Sequence, residues 1–262
     1  AIGAMGLTEP GAGSDAAMQQ TKAYLDGDHY VVNGRKCFIT NAGEAKYYTT
    51  VVMTDKSKGN KGMSILVIPA DAPGFSIGKH EKKMGIRGSS TCSLYFDNCI
   101  VPKENLIGRE GDGFKMIMQT LDIGRIGVGA VGLGIAQGAL EETLKYVSQR
   151  KQFGRTIGSF QNTQFEMAQM RAQTEAAKLL VYQAACAKDD HEPFSHKAAM
   201  AKLVAARNAM DVTTRCLQLY GGYGYTKDYP IERMMRDAKI TEIYEGTSEV
   251  QMMVISGWMG VK

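Results

Sequence analysis

The sequence predicts an α+β protein in which an antiparallel β domain is followed by an all-α four-helix bundle. Up to about residue 110, short runs of β-branched and aromatic residues alternate with turn residues. After it, apolar residues recur at helical spacing. Because the composition changes once, we assign residues 1–108 to the β domain and 109–262 to the helices. Strands and helices do not alternate, which argues against a Rossmann fold.

In the first domain, strands are expected at residues 30–32, 47–54, 63–68 and 93–101, where β-branched and aromatic residues are concentrated. The pair Asn33-Gly34 is the strongest hairpin signal, because both residues tolerate the positive φ of a tight turn. Residues 56–62 are polar and contain glycine, so we expect a loop between two strands there.

In the second domain, four helices are expected at about residues 111–150, 160–189, 194–220 and 230–256. Pro193 follows a run of polar residues and marks the break before the third helix. Six glycines lie in the middle of the first helix, where each would weaken a solvated helix by up to about 1 kcal/mol. They indicate that another helix or a ligand approaches this backbone closely, and close helix packing is the favoured cause; the six are Gly124, Gly127, Gly129, Gly132, Gly134 and Gly138.

The bulk composition excludes several classes of function. The net charge of +4 comes from interspersed charges of both signs, so no surface for nucleic acid or an anionic membrane is indicated. The longest apolar run, residues 126–140, is too short to cross a bilayer, so no membrane insertion is expected. The N-terminus lacks the features of a signal peptide. Five scattered cysteines and four unclustered histidines predict neither disulfides nor a metal site.

The stretch IYEGTSE, residues 243–249, places Glu245 between an aromatic residue and a glycine, just ahead of a helix start at Thr247. Burial against Ile243 and Tyr244 would raise the pKa of this carboxyl group and make it a usable general base. The alternative is that Glu245 only ends a helix, and the local pattern leaves both interpretations open.

Other segments have residues suited to a ligand, although each has an ordinary structural explanation as well. The glycine-rich loop at residues 8–15 offers backbone N–H groups and hydroxyls, and residues 38–40 end a strand that could meet the same ligand. Asp122 and Arg125 are spaced as an intrahelical ion pair. Residues 150–155 are basic with one aromatic ring, and residues 218–224 run from a helix into a glycine turn.

The order of these motifs resembles the acyl-CoA dehydrogenase family: TEPGAGSD, FIT, DIGR, RKQFGR, QLYGG and then IYEGTSE. The resemblance covers essentially the whole chain and is nearest to the short-chain, butyryl-CoA type. It implies a β-barrel-like middle domain, an FAD cofactor and oxidation of an acyl-CoA to a trans-2-enoyl-CoA. It further implies a homotetramer that passes electrons to an electron-transfer flavoprotein, in the bacterial cytoplasm or in the mitochondrial matrix of a eukaryote.

The resemblance also implies roles for single residues. Glu245 matches the family's catalytic base, and some relatives carry the base instead at the position of Gly124, where glycine cannot serve. The backbone N–H of Glu245 would help to stabilise the developing oxyanion. Substrate contacts are implied for Ser14, Asp122, Arg125, Tyr244 and Gly246. FAD contacts are implied for Met5, Leu7, Thr8, Ser14, Phe38, Ile39, Thr40, Arg150, Phe153, Gln161, Gln218, Gly221, Gly222, Thr247 and Glu249.

The chain departs from the family pattern in two respects. Family members begin with an all-helical domain that forms one wall of the acyl pocket, and this sequence starts at the β domain. Glu249 stands where the family often has glutamine, and a carboxylate accepts hydrogen bonds but does not donate them. Two further functions therefore stay open on the same fold: a non-catalytic scaffold that lacks the helical domain, and an acyl-CoA oxidase.

Overall fold

The computed structural model describes residues 1–261, which divide into two compact units. The β unit comprises residues 1–83 and 87–119. The helical unit comprises residues 84–86 and the residues from 120 onward.

One mixed sheet makes up the β unit. Its strands are β1 Gly3–Gly6, β2 Lys22–Asp26, β3 His29–Thr40, β4 Tyr47–Met53, β5 Met63–Pro69, β6 Phe75–His80, β7 Thr91–Pro102 and β8 Leu106–Ile107. They are ordered β6-β7-β3-β2-β4-β5-β8, and β1 pairs with β4 off this path. The pairing of β1 with β4 is parallel, β2 meets β4 in parallel at one residue pair, and the other neighbours are antiparallel.

The predicted fold class, a β domain followed by helices, is confirmed, with one correction to the sheet. The sheet is open and mixed rather than barrel-like and antiparallel. Two strands separate β1 from β4 along the chain, so no hairpin fixes their relative direction. The alternating apolar residues of the strands form the core of the unit, with Val32, Tyr48, Leu66 and Leu94 fully buried.

The hairpin predicted at Asn33-Gly34 is wrong, because β3 continues through this pair with a bulge between Val32 and Gly34. The turn lies one strand earlier, where Asp26 pairs with His29 and Gly27 takes a φ of 63°. Gly34 is instead needed because the backbone of Thr21 passes close to it: a Cβ on residue 34 would lie 2.6 Å from Thr21 Cα.

The helical unit is built from long helices connected by short segments. Their bounds are α1 Gly113–Gln149, α2 Gln161–Asp189, α3 Ser195–Tyr220, α4 Ile231–Lys239 and α5 Ser248–Trp258, and the short strands β9 Lys151–Gln152 and β10 Arg155–Thr156 form a hairpin between α1 and α2. Residues 113–119 of α1 belong to the β unit. The first three predicted helices are confirmed, whereas the fourth is two helices, because residues 240–247 leave the helical path.

Alanines and a few larger apolar side chains fill the core of the helical unit. Ala136, Ala139, Met170 and Ala209 are fully buried there. Close helix packing explains two of the six glycines in the middle of α1. A Cβ on Gly129 would lie 3.3 Å from Val181 Cγ2, and a Cβ on Gly132 would lie 3.2 Å from the carbonyl oxygen of Ala205.

Helix α1 is long and apolar enough to cross a membrane, and among residues 1–261 no other helix is. Several of its apolar side chains nevertheless pack inside the helical unit, where Val128, Leu133 and Leu140 are buried. A helix that is apolar on most sides is typical of either a membrane span or the centre of a bundle. Helix α1 therefore contributes apolar side chains to the core of the helical unit.

Candidate active site

The loop between α4 and α5, residues 243–247, holds its backbone in an unusual conformation. Glu245 has a φ of 55° and Gly246 a φ of 90°, so two consecutive residues are left-handed. Glycine adopts this region freely, but glutamate does so only when its surroundings enforce it. The Oγ1 atom of Thr247 accepts a hydrogen bond from the Val250 N–H at 3.3 Å and caps α5, which fixes the C-terminal end of the loop.

The carboxylate of Glu245 lies beside Gly124 of α1. A Cβ on residue 124 would be 2.7 Å from Oε2 of Glu245, so a side chain at this position would occupy the space of the carboxylate. This glycine therefore has a different explanation from Gly129 and Gly132, because it makes room for a functional group rather than for a helix. Among residues 1–261, no donor makes a hydrogen bond to the Glu245 carboxylate, which leaves its oxygens open to a substrate proton.

Burial raises the pKa of Glu245 above its ordinary value, while the positive charges of Arg125 and Lys202 oppose the rise. The direction agrees with the prediction from the sequence. Ile243, at the start of this loop, is 49% exposed. Tyr244 is half-buried, and burial and the Glu245 charge raise the pKa of its hydroxyl group.

Asp122 and Arg125 form the ion pair that their spacing predicts, with Arg125 Nη1 donating to Asp122 Oδ1 at 2.6 Å. Arg125 is only 4% exposed, and its Nε has no hydrogen-bond partner among the described residues. A buried guanidinium with an unused donor is costly unless a further acceptor completes it. Both residues lie on α1 next to Gly124. This helix faces residues 243–247, which we call the base loop because they carry the candidate base Glu245.

Lys202 and Gln251 were not found by sequence reasoning, and the structure places both at the base loop. Lys202 Nζ donates to the carbonyl oxygen of Gly246 at 2.7 Å, and Gln251 Nε2 donates to the same oxygen at 2.8 Å. A signal for Lys202 did exist in the sequence. It stands among alanines that recur at helical spacing, on the face of α3 that a core would cover.

In the β unit, the predicted cofactor residues gather around the bulge of β3. The register of β3 slips between Lys36 and Ile39, and Phe38 between them has a φ of 57° and is 66% exposed. Bulges commonly redirect a side chain next to a site. The N–H of Cys37 donates to the carbonyl oxygen of Thr8 at 2.9 Å, which holds the first polar loop beside this bulge.

The other predicted residues of the β unit differ in exposure. Ser14 and Thr40 are exposed, and Met5, Leu7 and Thr8 are half-buried. Ile39 points into the core of the sheet and is buried, so only its backbone is available to a ligand.

A buried ion pair anchors the loop that contains Thr8 and Ser14. Lys36 Nζ lies 2.7 Å from Glu9 Oε1, and both side chains are almost completely buried. The Glu9 carboxylate also accepts the backbone N–H groups of Gln20 and Thr21 at 2.7 and 2.9 Å. These bonds tie both ends of the loop to β3, so the glycines between them can be positioned without forming regular structure.

A second group of predicted cofactor residues lines a groove of about 470 Å³ in the helical unit. Arg150, Gln218, Gly221 and Gly222 lie along it, and the Arg150 guanidinium sits 5.1 Å from the centre of the Tyr223 ring. No atom lies within 4 Å of a Cβ built on either glycine, so the backbone there is open to a ligand. The Gly221 N–H is used inside the chain, donating to the carbonyl oxygen of Gln218. A cation and a side-chain amide beside this open glycine turn form a donor set that suits a diphosphate.

Four predicted cofactor residues of the helical unit do not line that groove, and one of them is Thr247, the N-cap of α5. Phe153 is 93% exposed at the turn of the β9–β10 hairpin, and Gln161 is exposed at the first position of α2. Glu249 is exposed in the first turn of α5. The hydrogen bonds around the start of α5 hold the pKa of Glu249 below its ordinary value, and this carboxylate therefore stays ionised at neutral pH.

Two family models match the chain, and together they cover most of it. The acyl-CoA dehydrogenase middle domain matches residues 4–99, and the acyl-CoA dehydrogenase C-terminal domain matches residues 111–260. The chain belongs to the acyl-CoA dehydrogenase family. The resemblance read from the motif order is therefore confirmed.

Individual members of the family are similar over almost the whole chain. The short-chain specific acyl-CoA dehydrogenase of Clostridium acetobutylicum is 59% identical over 256 residues, which are 98% of this chain and 68% of that protein. The structure of butyryl-CoA dehydrogenase from Megasphaera elsdenii has a TM-score of 0.97 at 53% identity, covering 98% of this chain and 68% of that one.

A chain from a structure of the electron transferring flavoprotein of Acidaminococcus fermentans also has a TM-score of 0.97, at 55% identity, with the same shares of the two chains covered. Relatives of this acyl-CoA dehydrogenase family chain include bacterial and mitochondrial proteins. The chain spans about two thirds of the length of these relatives.

Proposed function

We propose that this protein acts as an FAD-dependent short-chain acyl-CoA dehydrogenase, with Glu245 as the general base. The observation that carries the proposal is the free, partly buried carboxylate of Glu245, held over Gly124 on a left-handed loop. Its raised pKa brings the carboxylate closer to the basicity that proton abstraction requires. Membership of the family and the names of the similar relatives support the reaction type and the short acyl chain.

In the proposed reaction, Glu245 removes the α-proton of the acyl thioester. A thioester α-proton is too weakly acidic for a carboxylate unless the carbonyl oxygen is stabilised as negative charge develops, and the backbone N–H of Glu245 is the donor assigned to this task. Arg125 and Asp122 orient the substrate beside the base, and Tyr244 and Gly246 line its path. Bound FAD supplies the acceptor for the β-hydrogen, which leaves as hydride.

The residues that would hold FAD belong to two groups, one in each unit. Around the bulge of β3, an exposed aromatic ring and nearby hydroxyl groups suit a flavin ring, and the residues proposed are Met5, Leu7, Thr8, Ser14, Phe38, Ile39 and Thr40. In the helical unit, the open groove suits the ADP half, through Arg150, Gln218, Gly221 and Gly222. The remaining residues proposed are Phe153 and Gln161, which follow Arg150 in sequence, and Thr247 and Glu249 at the start of α5. The division of the chain at residue 108 is part of the same proposal.

The assembly and the partner are proposed on the same basis. A homotetramer would bring the ADP group of residues to the FAD of a neighbouring subunit. An electron-transfer flavoprotein would reoxidise the flavin, and the similar chain from the Acidaminococcus fermentans structure supports this pairing. We propose the bacterial cytoplasm as the location, supported by the bacterial relatives, or the mitochondrial matrix if the source is eukaryotic.

The test is a visible absorption spectrum of the purified protein loaded with FAD, before and after anaerobic addition of butyryl-CoA. Bleaching of the flavin bands is the expected result, and Glu245→Gln is expected to keep the bands and to lower the bleaching rate by several orders of magnitude. A protein that takes up no FAD would support the scaffold function. Rapid reoxidation of the reduced flavin by oxygen would support the oxidase, and normal bleaching in Glu245→Gln would refute the base assignment.

A further inference from the structure

Lys202 is a buried cation that forms no direct ion pair among the described residues. Its side chain is 0% exposed, and it lies in α3 among alanines that are also fully buried, including Ala198, Ala201, Ala205 and Ala206. Lysine is almost never fully buried unless it is paired. Within residues 1–261, no carboxylate lies within 4.0 Å of its Nζ, so an ion pair does not explain why the charge is there.

The hydrogen bond that Lys202 does make is directed at the base loop. Its Nζ donates to the carbonyl oxygen of Gly246 at 2.7 Å. The Gln251 amide reaches the same loop from α5, donating to that oxygen at 2.8 Å and to the carbonyl oxygen of Glu245 at 3.3 Å. Two buried side chains from different helices therefore hold two consecutive carbonyl groups.

These two residues are the ones with left-handed backbone, Glu245 and Gly246. A strained conformation persists only where its surroundings fix it, and here the fixed groups are the peptide planes on both sides of Gly246. The direction of the Glu245 side chain follows from this backbone, and so does the direction of its N–H. Gln251 Oε1 has no partner among the described residues, which indicates that the amide is placed for its donor side.

Lys202 also acts on Glu245 through its charge. Burial raises the pKa of Glu245, and Arg125 and Lys202 are the cations that oppose the rise. The pKa of Lys202 itself is lowered to about 8, chiefly by burial and also by Arg125, whereas the charges of Glu242, Glu245 and Glu249 oppose this. At neutral pH the ammonium group is therefore still charged and able to donate to the loop.

We propose that Lys202 is a positioning residue for the reaction: with Gln251 it clamps the Glu245–Gly246 loop, so that the base and the N–H of Glu245 keep one orientation over Gly124. Its charge additionally opposes the rise in the pKa of Glu245. This inference rests on the proposed function of Glu245 as the base. It adds that the geometry and the proton affinity of the base are set by a residue of a different helix.

The experiment separates the two roles by comparing Lys202→Met with Gln251→Leu. Lys202→Met removes both the donor and the charge, and Gln251→Leu removes a donor only. In the FAD-loaded protein, both are expected to slow flavin bleaching by butyryl-CoA on the order of tenfold or more, because the base is no longer held. Only Lys202→Met is expected to move the acid limb of the rate against pH to higher pH. Lys197→Met is the control. Lys197 lies on the same helix as Lys202 and forms an ion pair with Glu192, which precedes the helix, so its loss is expected to leave the bleaching rate and its pH dependence as in wild type.

A readout without the cofactor makes the test independent of turnover. The carboxyl ¹³C resonance of Glu245, assigned as the signal lost in Glu245→Gln, reports the pKa of the base in the FAD-free protein. We expect an upward shift of this pKa in Lys202→Met and no comparable shift in Gln251→Leu. An unchanged pKa and unchanged bleaching in Lys202→Met would overturn the proposal.

Two further outcomes remain informative. If Lys202→Met does not fold, Gln251→Leu tests the clamp by itself, because it removes the other donor to the same carbonyl oxygen; a wild-type bleaching rate in Gln251→Leu would then overturn the proposal. If wild type does not bleach at all, the proposed function fails, and the resonance of Glu245 still tests whether Lys202 controls its pKa.

Discussion

The carboxylate of Glu245 and the α-carbon of Gly124 occupy adjoining space, such that a Cβ at residue 124 would lie 2.7 Å from Oε2 of Glu245. The two residues are far apart in sequence, and the helix and the loop that carry them meet at this point. Because Gly124 has no side chain, the carboxylate of Glu245 can occupy this space. The predictions below start from this relationship.

Replacement of the glycine should damage activity without damaging stability. Gly124→Ala favours the helical conformation of α1 by up to about 1 kcal/mol, but its methyl group displaces the Glu245 carboxylate. We expect unchanged or higher stability in urea and a loss of flavin bleaching on the order of tenfold or more. Gly127→Ala is the matched control, because no atom lies within 4 Å of a Cβ at that position. Equal bleaching rates in the two variants would contradict the steric role of Gly124.

The base should reduce the stability of the folded protein at neutral pH. Since the folded pKa of Glu245 is raised, the folded state retains the proton above pH 4.5 where the unfolded chain has released it, and stability falls as pH rises through the folded pKa. Glu245→Gln cannot ionise, so we expect it to exceed wild type in free energy of unfolding at pH 7 and to match it well below pH 4.5.

Urea denaturation at both pH values measures this difference. Glu249→Gln is expected to show the opposite sign at pH 7, because the folded pKa of Glu249 is lowered. A Glu245→Gln variant that is less stable than wild type at pH 7 would refute the cost assigned to the buried base.

The buried ion pair of the β unit should be sensitive to removal of one partner. Burial alone would raise the pKa of Glu9, but the Lys36 charge and the hydrogen bonds of Lys36 and Thr21 lower it below its ordinary value. The stability this provides is present above pH 4.5 and is lost as pH falls through the folded pKa of Glu9. Lys36→Met leaves the carboxylate buried without its cation and should cost about 3–5 kcal/mol.

Circular dichroism during urea unfolding checks this value. Adding Glu9→Gln to Lys36→Met should restore part of the loss, because no charge is then left buried. Lys58→Met removes an exposed pair with Asp55 and should have no measurable effect. If Lys36→Met and Lys58→Met lowered the free energy of unfolding equally, burial would not explain the contribution of the Glu9–Lys36 pair to stability.

The groove of the helical unit predicts a variant that loses the cofactor rather than the chemistry. Arg150→Ala removes the cation that faces the open glycine backbone, and should weaken FAD retention on the order of tenfold or more. The flavin absorbance that remains per protein after gel filtration measures this. Arg155→Ala is the control, because that guanidinium sits 4.1 Å from the centre of the Phe160 ring and does not line the groove. Equal retention in both variants would count against the diphosphate role.

The residue pattern alone determined the order of a β domain and a helix bundle, and the places of the first three helices, because these depend on periodicities within one segment. Motif order determined the family, and the stretch IYEGTSE pointed to a carboxylate on a loop. The loop itself was visible in the sequence, since Gly246 and Thr247 interrupt the helical pattern. The predicted fourth helix nevertheless ran through it, because apolar periodicity on both sides concealed the break.

Contacts between distant segments were decided only by the tertiary structure. Asn33-Gly34 is a hairpin signal locally, but the close approach of Thr21 makes Gly34 a bulge residue instead. In the sequence, Lys202 is one of several lysines in a helix. In the structure, α3 packs against the base loop, and the Lys202 ammonium group is buried there. Desolvation, a raised pKa and a shared carbonyl oxygen are properties of neighbours in space. For that reason the sequence pointed to Glu245 as the proposed base, whereas only the fold determined which groups surround it.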